Sequence, residues 1–167
     1  MLTTVAQAVI LRELAAVRRS IEAYPDDKSV WALPTGLPNA AGTLALHLAG
    51  NLQHYVGKVL GGSSYVRDRP AEFARRDVPR RELLAELDAA SAAVTRSLPM
   101  VSPHALTQAY PETIGGEVLS TETFLVHLAA HLAYHLGQID YHRRVVTGNA
   151  QGVGALSPAA LAPKSRD

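Results

Sequence analysis

Apolar residues recur at helical spacing along four stretches of the chain. From about Thr3 to Tyr24, Val5, Val9, Leu14, Val17 and Ile21 fall three to five residues apart, and Pro25-Asp26-Asp27 supplies a stop. Asn39, just after Pro38, is a suitable N-cap for a second helix running to Leu60, where Gly61-Gly62 ends it. Its apolar stripe is Leu44, Leu48, Leu52 and Val59. Pro79 suits the first turn of a third helix, striped by Leu83, Leu84, Leu87, Ala90 and Val94 and ending at Pro99. The fourth and longest pattern runs from about Thr121 to Thr147 along Leu125, Leu128, Leu132, Leu136 and Ile139, and Gly148 closes it.

The intervening segments lack a period. The stretch after Pro25 holds Trp31, the single tryptophan, and SSYVRDRPAEFARRD mixes charge with a proline and reads as a loop. The connection from Met100 to Ser120 contains two prolines and a Gly115-Gly116 pair, and connections of that length are often functional. No strand pair or repeat emerges. The expectation is an all-α four-helix bundle with long crossover loops over residues 1–148, followed by a loosely ordered Ala/Gly/Pro-rich tail over 149–167.

Composition narrows the function classes. A net charge of +1, with Lys and Arg scattered, argues against nucleic acid as the main partner, since that would call for a concentrated basic stripe. The chain has no cysteine, which excludes disulfides, thiolate metal sites and a cysteine nucleophile. The first residues lack the basic segment and cleavage site of a signal peptide, and no apolar stretch is long enough for a membrane span. A cytoplasmic protein without a membrane partner is expected.

The histidines carry the chemical signal. Six of the seven fall on two predicted helices: His47 and His54 on the second, and His127, His131, His135 and His142 on the fourth, with His104 in a loop. At about 100° per residue, steps of four advance by about 40° and steps of seven fall about 20° short of two turns. His131 and His135 therefore share a face with His142 between them in angle, His127 borders it, and His54 lies almost directly below His47. Each histidine stripe borders a leucine stripe that must face the core, so the imidazoles belong near a helix–helix seam. Three nitrogens from two helices can surround a metal at about 2.0–2.1 Å and leave a coordination position open, the arrangement of a catalytic rather than a structural ion. Imidazoles suit zinc, nickel, cobalt or iron(II) and disfavour calcium and magnesium. A water-bridged structural histidine cluster is the plain alternative.

Several chemistries fail on spacing. His131-Leu-Ala-Tyr-His135 lacks the Glu of a zincin, and the absence of Glu-x-x-His argues against a ferritin-like di-iron centre. The glycines of VLGGSSYV form neither a phosphate loop nor a nucleophile elbow.

Two segments, LALHLAGNLQHYVGKVLGG with the following YVRDRPAEF, and HLAAHLAYHLGQIDYHRR, resemble the DinB-like superfamily, which includes YfiT-type metal-dependent hydrolases. The resemblance spans all four predicted helices and is most specific in the H-x-x-x-H-x-G-Q-I ending. It implies a four-helix bundle, often a homodimer, with zinc or nickel (iron or cobalt being further options) held by His47, His131 and His135. His54 or His127 could replace a member of that triad, so the ligands are best taken as a set. Gln138 matches a polar residue that could orient a ligand or a water. Some branches transfer low-molecular-weight thiols to electrophiles, and an external thiol is compatible with the missing cysteine.

Arg67, Asp68 and Arg69 are candidates for binding an anionic substrate at the site's mouth, and Tyr55 and Tyr134 for acid–base or binding roles. Arg143 and Arg144 read as last-turn charges complementing the helix dipole. The leading expectation is a metal-dependent thiol S-transferase or hydrolase acting on a small molecule. Its rival is a non-catalytic metal- or ligand-binding stress-response or sensor bundle.

Overall fold

The structure, a computed structural model, describes residues 2–162. Its long helices are α1 (Leu2–Glu22), α3 (Ala41–Leu52, continued as a π-helix over Gln53–Leu60), α5 (Arg80–Ser97) and α7 (Thr121–Thr147). Short helices interrupt the connections: α2 (Asp27–Val30), α4 (Arg69–Ala74) and α6 (Pro103–Thr107). Two isolated β-bridges, Ala109–Ser120 and Ile114–Glu117, brace the connection before α7. No helix among the described residues is long and apolar enough to cross a membrane.

The four long helices form the expected bundle. α1 and α3 each pack against both α5 and α7 and stand diagonally opposite one another. The connections from α1 to α3 and from α5 to α7 therefore both cross an end of the bundle, which accounts for their length. Leucines of α7 (Leu125, Leu128, Leu132, Leu136) meet Leu48 and Leu52 of α3 and Ile10, Leu14 and Val17 of α1 in one buried cluster. Every residue of α3 is buried, because α4 covers the face that the other long helices leave open.

Details depart from the periodicity. The buried face of α1 is Ala6, Ile10, Leu14, Val17 and Ile21, whereas Val5 is 60% exposed. Val5 precedes Ile10 by five residues and so stands about 140° around the helix from it. The second helix begins at Ala41 with Ala40 at its N-cap and no side-chain cap bond, so Asn39 does not serve. The Trp31 indole lies instead against the first turn, and a Cβ at Gly42 would come within 2.6 Å of it. Trp31 Nε1–H donates to the Val78 carbonyl at 3.0 Å and ties this loop to the segment before α5.

The C-terminal end of α7 is an interior charge cluster. Arg143 is 1% exposed, so the residue expected as a last-turn charge for the helix dipole is a buried core residue with partners of its own. Its Nη2 donates to Asp140 Oδ1 at 2.8 Å and to the Gln151 carbonyl at 2.6 Å, while Arg144 Nε donates to Asp140 Oδ2 at 2.9 Å. Gly148, at φ 67°, turns the chain back, and Arg19 of α1 donates to the Val153 carbonyl at 2.7 Å. Residues 149–154 are thus held by arginines of two helices; the end of the predicted tail, from 163, lies outside the described residues.

Burial alone would raise the Asp140 pKa, but hydrogen bonds from Arg143 and Arg144 hold it below the usual carboxylate range. A folded-state pKa below the unfolded one gives stability that is present above about pH 4 and is lost as pH falls through the lowered value. Asp140→Asn should cost about 2–4 kcal/mol at pH 7, because it leaves Arg143 buried without its counter-charge. Urea unfolding at pH 7 and pH 3 should show that gap narrowing in acid; an undiminished gap would mean the carboxylate charge is not what matters.

Candidate metal centre

The seam between α3 and α7 brings three imidazoles together. His47 sits mid-way along α3, and His131 and His135 lie one turn apart on α7. One nitrogen from each of the three lies within 4.8 Å of the other two. His47 Nε2 and His131 Nε2 stand 3.3 Å apart. Two nitrogens bound at about 2.05 Å to a tetrahedral ion are separated by about 3.3–3.4 Å, so this pair already has the spacing of zinc-type ligands.

The rings are oriented by a second layer of contacts. His47 Nδ1–H donates to Glu72 Oε2 at 3.0 Å, which leaves the Nε2 lone pair facing α7. Glu72 is itself held by Arg67, whose Nε donates to Oε1 at 2.7 Å and Nη2 to Oε2 at 2.9 Å. His135 Nδ1–H donates to Gln138 Oε1 at 2.6 Å, which likewise frees its Nε2. A carboxylate or amide behind a ligating imidazole fixes tautomer and ring direction and raises ligand basicity.

Local structure explains why Glu72 can reach His47. Asp68 caps α4 by accepting from the Ala71 amide at 3.0 Å, and Pro70 in the first turn lacks only an N–H that would go unpaired there. α4 then lies on α3 at Gly50, one turn beyond His47, where an added Cβ would overlap the Glu72 carboxylate. Gly50 is therefore the gap through which the acid enters.

Electrostatics keeps the two donors of α7 neutral. His131 is pushed down to about 4 by burial first, then by His135 and His47. His135 is lowered by burial, which outweighs the Gln138 bond that favours its charged form. Burial on its own would raise Glu72, but the hydrogen bonds from His47 and Arg67 hold it low and ionised. Neutral imidazoles at physiological pH are the form a cation requires. The donor set and its spacing fit a zinc-type ion.

The other sequence candidates fall around this core. His127 is exposed and stacks on His131 with centroids 6.2 Å apart. His54 lies away from the cluster, its Nε2 paired with Glu112 Oε2 at 3.0 Å. Seven residues span about 10.5 Å of helix, and the wider turns of the π-segment from Gln53 rotate His54 further off the His47 line. His142 shares an angular sector with His131 and His135 but is committed elsewhere. Its Nε2–H donates to the Ala32 carbonyl at 2.8 Å and its Nδ1 accepts from the Tyr24 hydroxyl at 2.6 Å. Tyr134 is 65% exposed and meets the His135 ring edge-on. Tyr55, Arg67 and Arg69 line a cavity that opens on His47 and His131, with about 180 Å³ of water-accessible space.

Glu72 was missed by the sequence reading because RDRPAEFARRD has no period to place it. The available signal was Asp68-x-x-Ala71 with Pro70, a cap followed by a proline in the first turn, which marks a short helix.

A family model for the DinB superfamily matches residues 10–139, a stretch that reaches all four long helices and holds all three clustered histidines. The chain belongs to the DinB superfamily. No curated protein matches it closely enough to extend that statement. What this DinB-superfamily chain has is an α3–α7 seam whose three-histidine cluster is compatible with metal binding.

Glu72→Gln and Gly50→Ala should each weaken zinc binding about 10–100-fold while the helical content is kept, the first by removing the charge behind His47 and the second by displacing it. Competition against a chromophoric chelator reads this directly; unchanged affinity in both variants would show that the carboxylate does not support the site.

Proposed function

We propose that this protein is a metal-dependent enzyme that activates a small-molecule cosubstrate, with a low-molecular-weight thiol favoured over water. The 3.3 Å approach of His47 Nε2 to His131 Nε2, with His135 beside them, carries the reading. His47, His131 and His135 would hold one divalent ion, zinc or nickel by ligand type, with iron or cobalt also compatible. Three protein ligands leave a position for the cosubstrate, and an ion there supplies Lewis acidity that lowers the pKa of a bound thiol or water.

The chain's own groups favour the thiol. A hydrolase needs a base near its water, and the carboxylate nearest the cluster is already engaged. Both Glu72 oxygens are bonded, one to Arg67 and the other to Arg67 and His47, on the ring edge away from Nε2. The ion would acidify either molecule, but a free thiol is already far more acidic than water, so it reaches its anion with less help from a base.

The cavity beside the cluster supports an anionic or strongly polar portion in the bound molecule. Asn51, Tyr55 and Arg69 line it together with His47 and His131. Arg67 is neutralised by Glu72, whereas Arg69 stacks on Phe73 at 5.2 Å and has no carboxylate partner among the described residues.

Elemental analysis of untagged protein should find about one metal ion per chain, lost in His47→Ala and His131→Ala and kept in His54→Ala and His127→Ala. The loaded protein should then consume a thiol with an electrophile such as a haloalkane or an epoxide. Metal retention with no turnover across thiols would favour the non-catalytic binding role, and no metal in the wild type after incubation with zinc or nickel would end the proposal.

A further inference from the structure

A second cavity flanks the histidine cluster on the opposite side from Arg69, and its chemistry is different. Leu37 and Pro38 before α3, Leu44 on α3, and Tyr141 and Val145 on α7 form its walls. Leu44 precedes His47 by one turn, and Gln138 follows His135 by one turn. Gln138 belongs to both sites: its Oε1 accepts from His135, and its side chain lines this cavity. The groove between α3 and α7 thus carries imidazoles in its middle, a polar cavity on one side and an apolar one on the other.

We infer that this apolar cavity is a binding subsite for a single aromatic ring or compact hydrocarbon group, carried by a small molecule whose polar end reaches the His47–His131–His135 cluster. Three observations point there. Leu37, Tyr141 and Val145 keep 37%, 72% and 63% of their surface exposed around one concavity, where an isolated chain gains nothing from leaving them bare. His142 also lines the cavity, but both its nitrogens are bonded, so it offers only ring carbon. The free polar groups are then the Gln138 amide nitrogen, the Asn39 amide and the Tyr141 hydroxyl, enough to orient one hydrogen-bonding substituent. Size sets the limit: the cavity holds ≈ 250 Å³, and about 150 Å³ of apolar space accommodates benzene elsewhere. One ring with a short substituent fits.

The first test uses the full metal-free chain, so it is independent of the metal. Benzyl alcohol is titrated into the ¹⁵N-labelled protein. Amide shifts should concentrate at Leu37, Leu44, Tyr141 and Val145, and binding should weaken at least tenfold in Val145→Asp and in Tyr141→Ala. Both side chains are largely exposed, so neither change needs to disturb folding, and circular dichroism checks this. Shifts scattered over the surface, or unchanged affinity in the two variants, overturn the inference. So does self-association of the wild type in sedimentation with these residues shielded, since a second copy would then be the occupant.

A second test rests on the proposed metal role. On the cobalt(II)-loaded protein, 4-phenylimidazole should bind at least tenfold more tightly than imidazole by visible absorption, and Val145→Asp should erase the difference. If cobalt does not load, the metal reading fails and the first titration alone decides the cavity. If cobalt loads and the two compounds bind equally, the cavity does not serve the metal centre and the inference falls.

Discussion

Glu72 carries a full negative charge into the side of a helical bundle, and the geometry of the seam follows from how that charge is satisfied. A buried carboxylate is tolerated only when nearly all of its acceptor positions are filled. Here Arg67 takes it in a two-pronged grip and His47 takes a third acceptor position. Four parts of the chain must coincide for this: Gly50 on α3 to leave room, the extended stretch carrying Arg67, the Asp68 cap that starts α4, and the acid one turn into it. Once they coincide, His47 has one tautomer and one direction. Its free nitrogen is aimed at α7 before any ligand arrives.

The other half of the centre is arranged by neutral groups, with a different consequence. His131 and His135 come from a single helix, so their separation is fixed by its rise and their common direction by the leucines beneath them. Gln138, unlike Glu72, brings no charge, and His131 and His135 stay neutral because burial and the neighbouring imidazoles disfavour their protonation. In the metal-free molecule, a proton on His131 Nε2 can bridge to His47 Nε2 across the same 3.3 Å that an ion would span. The seam therefore needs little rearrangement when a cation replaces that proton, which is the form preorganisation takes here.

The long-range order of this fold was legible because its signal is periodic. Leu125 through Ile139 lie at helical spacing over more than three turns, and all five residues of that stripe are on the buried face of α7. That His131 and His135 share one face could be anticipated for the same reason, since they are four residues apart on one helix, whereas the choice of His47 over His54 followed from the family resemblance and not from the period. Legibility failed wherever contacts, not period, decide. The π-segment turns His54 toward Glu112, and nothing in QHYVGKVL announces it. His142 shares an angular sector with the cluster, yet Tyr24 and the Ala32 carbonyl, both far away in sequence, claim its nitrogens. Arg143 looked like a last-turn charge serving the helix dipole because its carbonyl partners lie in a segment with no pattern.

The two faces of the α3–α7 groove are unlike for a reason rooted in connectivity. On the side of Asn51 and His127, the groove is bordered by the segment leading into α4, which must carry Arg67 to Glu72 and so brings Arg69 with it. On the side of Leu44 and Tyr141, it is bordered by the crossover from α1, whose Leu37 and Pro38 have no charge to neutralise. The polarity of the groove is thus a by-product of the ion pair that orients His47: the basic residues gather where the carboxylate needs them, and the far side is left apolar. A molecule lying along this groove would meet hydrogen-bond donors and a free guanidinium at one end, imidazole nitrogens in the middle and hydrocarbon at the other, so its orientation would be set before its reacting atom met the metal ligands.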